Sequence, residues 1–179
     1  MNIQADNPRA PRPAETFVVA ANKAVLDALP FADRRDFEDA ERGFIGSRPD
    51  ATVMAGERTV WSQKPYAFLQ SDEAPDTVHP SLWRIAQLNC RHGLFEVTER
   101  IYQVRGFDIA NMTIVEGESG IIVIDTLTSA EPAKAALELY YQHRGRRPVK
   151  TVIYTHTHVS RGVLGGRYKG SALSEQEIA

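Results

Sequence analysis

Val152-Ile153-Tyr154-Thr155-His156-Thr157-His158 decides how this chain is to be read. A β-branched run reads as a strand, and it ends in two histidines spaced i, i+2. In extended chain such positions point the same way, so both imidazoles can approach one metal ion from one side. A catalytic zinc takes about three protein ligands and keeps one position open for water. His156 and His158 are therefore metal-ligand candidates that form part of a site. The bland alternative is a polar loop pair with no ligand role.

Working outward, Val149 to Tyr154 is the strand that delivers the pair. Before it lies a helix: Thr128 and Glu131 fit a capping box, Pro132 falls in the first turn, and Ala135, Ala136, Leu139 and Tyr140 form an apolar stripe. Arg144 sits in the last turn, where the helix dipole favours a cation, and Gly145 comes next. Ahead of that helix, Ile121–Ile124 is apolar on both faces, as suits a strand covered on both sides. The β–α–β order makes these two strands parallel neighbours. Asp125 ends the first of them, where a carboxylate can bond the neighbouring loop and hold its shape. The competing reading is a local Asx turn.

Further upstream, Phe95–Val97, Ile101–Val104 and Met112–Val115 read as short strands, and Gly117-Glu118-Ser119-Gly120 as a turn. Pro80 opens a helix with Leu82, Trp83, Ala86, Leu88 and Cys90 on its apolar side and Gly93 as its stop. Residues 46–78, broken by Gly46, Pro49, Gly56, Pro65 and Pro75, read as irregular. A helix over Glu15–Leu29, with Phe17, Val18, Ala21, Val25 and Leu29 on one face, ends at Pro30. A short charged helix comes after it over Asp33–Arg42. The expected division is a disordered, Pro-rich leader over 1–13, a helical and irregular extension over 14–93, and a sheet-bearing domain over 94–179. His79 reads as a helix cap, and His92 and His143 as last-turn residues. Trp61, Tyr66, Phe68 and Trp83 read as packing residues.

Composition narrows the classes. Of 179 residues, 42% are hydrophobic and 25% charged, ordinary values for a globular chain. A net charge of -2 gives no basic footprint for nucleic acid. The single cysteine, Cys90, excludes an internal disulfide framework and a Cys-based zinc site; it reads as a buried, inert thiol. No apolar run approaches the roughly 20 residues of a membrane span. The leader has no apolar stretch of a secretory signal, so cytoplasmic residence is the simplest expectation. A chain trimmed of such a signal would read the same.

Several blocks together are similar to one family. Tyr66-Ala67-Phe68-Leu69, Pro75-Asp76-Thr77-Val78-His79-Pro80-Ser81-Leu82-Trp83-Arg84, Gly93-Leu94-Phe95-Glu96-Val97, Asn111-Met112-Thr113 and Ile124-Asp125-Thr126-Leu127-Thr128 resemble the N-terminal part of the alkyl sulfatases, within the metallo-β-lactamase superfamily. The likeness runs over roughly residues 60–159, through Val152 to His158. It implies an α+β chain, the N-terminal half of an αββα sandwich preceded by a helical extension. It implies hydrolysis of linear primary alkyl sulfate esters of the dodecyl sulfate type, at a centre of two zinc ions. By that resemblance His156 and His158 are metal ligands and Asp125 supports the metal loop. The family motif is His-x-His-x-Asp-His. Here its Asp falls at Ser160 and its last His at Arg161. Ser is a poor ligand, and an Arg cation repels a metal.

From these substitutions this chain alone is expected to be inactive. The family's remaining ligands, its homodimerisation region and its lipid-binding-like domain would fall beyond Ala179. Leu173–Ala179 again resembles the family, at the segment just C-terminal to the motif, so Ser160–Ala172 alone departs. Two compensating frame changes would produce that pattern, as would a diverged paralogue acting as a binding module. A general hydrolase of the same superfamily fold is the remaining alternative, and the Pro75–Trp83 block argues against it.

Overall fold

The computed structural model describes residues 12–156. The expected leader falls almost entirely outside that span, as do His158, Ser160, Arg161 and the stretch up to Ala179.

The fold is α+β. Its centre is a six-stranded sheet in the order β1 (Phe44–Gly46), β4 (Gly93–Thr98), β5 (Ile101–Arg105), β6 (Met112–Glu116), β7 (Ile121–Ile124) and β8 (Val149–Ile153). A separate hairpin joins β2 (Val53–Ala55) to β3 (Arg58–Trp61). Neighbours in the large sheet run antiparallel except β7 and β8, which are parallel across the helix α4 (Ala130–Arg144). This is the pairing expected from the β–α–β order. β6 and β7 meet through a tight turn in which the Gly117 amide donates to the Gly120 carbonyl at 2.7 Å.

Alternation along the strands sorts residues between two faces. Tyr102, Val104, Met112, Ile114, Ile121 and Val123 are buried on one face, in one cluster with Ala136, Leu139 and Tyr140 of α4 and with Ala51 and Val53. The α4 stripe therefore packs as its spacing predicts. On the opposite face Ile101 pairs with Val115, Val115 with Ile122, and Ile124 with Ile153. These residues are half-buried or exposed, Ile153 at 44%. The β7 run is thus covered on one side only by the described residues.

Residues 46–78, read as irregular, hold the β2–β3 hairpin and a 3₁₀ turn over Lys64–Gln70. Strands of three and four residues interrupted by Gly56 are too short for alternation to register. β1 was likewise unforeseen, for the same reason. Gly43 precedes it at φ 71°, and a Cβ there would stand 2.0 Å from the Glu96 carbonyl oxygen, so this crossing requires glycine.

In the extension, α1 (Thr16–Ala28), α2 (Arg35–Glu41) and α3 (Pro80–Asn89) lie where the breakers predict. The described residues leave much of the apolar stripe of α1 open: Phe17 is 74% exposed and Ala21 and Leu29 are exposed too, while Val18 and Val25 are half-buried. On α3, Trp83 is buried while Leu82 faces solvent. Arg84 joins α3 to α2, donating to the Asp36 carboxylate at 2.6 and 2.7 Å and to the Phe31 carbonyl at 3.0 Å. Trp83 packs against the Phe68 ring at 5.9 Å, although Phe68 and Tyr66 are largely exposed rather than buried as packing residues. His79 caps α3 by accepting the Ser81 amide at 3.2 Å, as expected. His92 lies beyond the α3 C-cap, Cys90, rather than in its last turn; Gly93 belongs to β4. Cys90 is half-buried, and burial pushes its thiol up.

A candidate metal-loop corner at the ends of two parallel strands

Because β7 and β8 are parallel, their C-terminal ends open on the same side, where α/β sheets characteristically present their sites. Asp125 leaves β7 with its backbone amide bonded to the Ile153 carbonyl at 2.9 Å, so the two strand ends are held in step. Asp125 then takes φ 61° and Leu127 φ 65°. Left-handed backbone is uncommon for residues with a Cβ and is tolerated best by Asp and Asn. Leu127 holds it because its side chain is 6% exposed, anchored in the core.

The Asp125 carboxylate works in two directions. Oδ1 accepts the Leu127 amide at 2.9 Å, an Asx turn that stabilises the left-handed corner. Oδ2 accepts the Thr155 hydroxyl at 3.1 Å, across from the other strand. Thr155 Oγ1 in turn lies 2.6 Å from His156 Nδ1. The two readings of Asp125 are therefore compatible: it makes its local turn and also fixes the loop that carries the first histidine. Both its oxygens have partners, which suits support of the loop better than ligation. Asp125 and His156 are thus brought together through Thr155, while His158 lies outside the described residues.

Sequence reading passed over two residues of this corner. Thr155 carries no signal of its own beyond its place in the β-branched run before His156. Asp108, on the turn between β5 and β6, gave no signal, since nothing local pairs it with position 128. It is 7% exposed. Its Oδ1 accepts the Ile109 amide at 2.6 Å, and its Oδ2 accepts both the Thr128 amide at 2.7 Å and the Thr128 hydroxyl at 2.5 Å. The capping box expected at Thr128 and Glu131 does not form. Ser129, not Thr128, is the N-cap of α4 and makes no side-chain cap bond, while the Thr128 hydroxyl donates to Asp108.

Among the described residues, no group of three or more His, Cys, Asp or Glu side chains stands together as a metal site. His156 supplies one imidazole and Asp125 is engaged twice, so this donor set alone falls short of the roughly three ligands a catalytic zinc needs.

Comparison with known proteins gives this corner its context. The profile of the Metallo-beta-lactamase superfamily matches residues 105–159, from the end of β5 through the histidine pair. The chain is 55% identical over 160 residues to an alkyl/aryl-sulfatase, BDS1, of Saccharomyces cerevisiae, and that match takes in 88% of this chain and 25% of the relative. It is 50% identical over 158 residues to an (R)-specific secondary-alkylsulfatase of Pseudomonas sp., with 86% of this chain and 24% of the relative covered. It is 52% identical over 159 residues to a linear primary-alkylsulfatase of Pseudomonas sp., with 86% and 23% covered. The chain thus spans about a quarter of the length of the curated relatives it matches. The solved structure of the stereoselective inverting sec-alkylsulfatase Pisa1 from Pseudomonas sp. superposes with a TM-score of 0.77 at 52% identity, covering 83% of this chain and 24% of that one.

Proposed function

Starting from a chain related in sequence and fold to the N-terminal part of the alkyl sulfatases of the metallo-β-lactamase superfamily, we propose that it carries the first half of a metal loop for sulfuric ester hydrolysis. One observation supports this most: Asp125 Oδ2 holds the Thr155 hydroxyl, which stands against His156 Nδ1, at the open ends of two parallel strands. The superfamily implies a metal. In this proposal the metal is zinc, His156 and His158 are ligands, and Asp125 orders the loop that presents them. The ions, when bound, would supply a water acidified toward neutrality and positive charge for the sulfate group. The substrate class is an alkyl sulfate, with linear primary esters first.

This chain as it stands is proposed to turn over no ester. Ser160 and Arg161 occupy in the sequence the places of an Asp and a His in the motif, so the donor set is incomplete and one ligand position is given to a cationic residue type. Calorimetric zinc titration of the chain tests the assignment. The expected affinity is weaker than micromolar, tightened by Ser160→Asp with Arg161→His beyond the roughly 10–100-fold that outer partners of a metal are worth. His156→Ala should cancel the gain. Tight binding that survives His156→Ala would end the reading. Sulfate release from dodecyl sulfate and from a secondary ester, expected from neither, is the parallel assay.

A second reading, a non-catalytic interaction module, draws on the sheet face that the described residues leave partly open, with its paired Ile124 and Ile153. Concentration-dependent sedimentation, relieved by Ile153→Lys, would favour it.

A further inference from the structure

We propose that Asp108 is a positioning residue for this corner: it sets the Asp125–Thr128 loop from beneath, and through it the orientation of His156. The inference rests on the reading of Asp125 and His156 as parts of one site.

The loop needs an external brace. It leaves β7 through two residues in left-handed backbone, Asp125 and Leu127, and enters α4 at a cap that makes no side-chain bond. The Asx turn of Asp125 fixes only the first half, ending at the Leu127 amide. The second half is fixed at Thr128, whose amide and hydroxyl both donate to Asp108 Oδ2. A buried carboxylate receiving three donors within 2.5–2.7 Å is a stiff anchor, because hydrogen bonds to a charged acceptor are short and roughly twice as strong as neutral ones. The positive end of α4 favours an anion there as well.

The anchor is itself held. Asp108 follows Phe107, which is 0% exposed, and Gly106 at φ 72°. The Gly106 carbonyl accepts Trp61 Nε1 at 2.7 Å and Gln63 Nε2 at 3.2 Å. A Cβ on Gly106 would stand 2.5 Å from that of His92, so the turn is packed against His92 and takes glycine there. A continuous path thus runs from the β2–β3 hairpin through Gly106 and Asp108 to Thr128, then through the Asp125 turn to Thr155 and His156. It gives the N-terminal extension a part in shaping the site.

The test uses the whole chain, labelled with ¹⁵N. Asp108→Asn places an amide N–H where Thr128 donates, and Thr128→Val removes only the hydroxyl bond, while Thr128→Ser restores it. Amide exchange at Thr128 should quicken about tenfold or more in Asp108→Asn, the loss of a bond to a charged acceptor. The distinguishing readouts lie further on. The Leu127 amide, bonded to Asp125, should also quicken, and the His156 imidazole ¹⁵N resonances should shift. Thr128→Val should show both changes more weakly, and Thr128→Ser should recover the parent spectrum. If Asp108→Asn fails to fold, the Thr128 pair carries the test alone. A brace of α4 and nothing more would quicken Thr128 while leaving Leu127 and His156 unmoved, and that outcome overturns the proposal. Failure of zinc binding or ester turnover would strike the proposed function instead, since none of these readouts involves metal or substrate.

Discussion

Two carboxylates lie at the same depth, near the two ends of α4, and are compensated in opposite ways. Asp108 is 7% exposed and Glu116 6%. Asp108 takes its bonds from two backbone amides and a hydroxyl. Glu116 takes them from Tyr140 at 2.9 Å and from the Arg144 guanidinium at 3.1 and 3.4 Å, with that guanidinium 4.7 Å from the Tyr102 ring centroid. A buried charge must be paired or richly hydrogen-bonded. Pairing with a cation neutralises it and locks two elements together. Bonding to amides leaves the charge in place and shapes the backbone around it. The first solution clamps β6 to the C-terminal end of α4. The second stands next to the candidate site, where the backbone must take an unfavourable course.

The largest expected effect breaks the clamp. Glu116→Ala leaves the Tyr140 hydroxyl buried without its carboxylate and strips Arg144 of its partner. Removing one member of a buried pair costs about 3 kcal/mol or more, and the partly exposed Arg144 places this case at the low end. Urea denaturation should show that loss. The His156 resonances should stay in place once the variant is folded. If they moved as far as in Asp108→Asn, the contrast between a clamp and a shaping anchor would fail.

Acid should sharpen the same contrast. Burial pushes the Glu116 carboxyl up, but hydrogen bonds from Arg144 and Tyr140, with the charges of Arg144 and Arg147, outweigh it and hold it below the ordinary value. A carboxyl depressed in the folded state contributes stability that is complete above the unfolded value of about 4.3 and is lost as pH falls through the folded value. The melting temperature of the parent should therefore approach that of Glu116→Gln below about pH 4. A constant gap from pH 7 to pH 3 would show that the carboxylate charge contributes nothing.

Tyr140→Phe is the next smaller cut. It removes one hydrogen bond and leaves the ion pair, for about 1 kcal/mol. Burial, followed by the hydrogen bond to Glu116 and its charge, raises the Tyr140 phenol, so the hydroxyl is the donor of this bond at neutral pH. A loss as large as that of Glu116→Ala would mean that the tyrosine, not the arginine, is the main compensation.

How much of this was legible depends on sequence separation. The parallel β7–β8 pair could be read because an unbroken apolar run and a β-branched run flank a helix, and α4 because its inward stripe repeats between clear breakers. The short strands β1, β2 and β3 could not, since three or four residues carry too little alternation. The stripe of α1 was read but is only partly covered by the described residues. At the candidate site, the placement of Asp125 and His156 just past the ends of β7 and β8 was legible because those strands were. Asp108 was not: its partner Thr128 lies twenty positions away across a turn and two strands, and a lone Asp in a loop has many uses. Arg144 was foreseen as a cation at a helix end, and its partner Glu116, 28 positions back, was not.

The smallest expected effect falls on Asp125, and there smallness is the point. Asparagine tolerates left-handed backbone about as well as aspartate, and its side-chain oxygen can still accept the Leu127 amide. Asp125→Asn should therefore change stability by only a few tenths of a kcal/mol, within the usual range for a surface substitution. What it removes is the charged acceptor toward Thr155, by placing an amide N–H against the hydroxyl now held at 3.1 Å. The Thr155 hydroxyl can turn and accept instead, so the loop survives while its hydrogen-bond direction reverses. That reversal reaches His156 Nδ1, 2.6 Å from the same oxygen. A near-silent melting curve beside a displaced imidazole resonance would separate shaping from clamping most sharply. A variant that lost stability and left the imidazole unmoved would assign Asp125 to the turn alone.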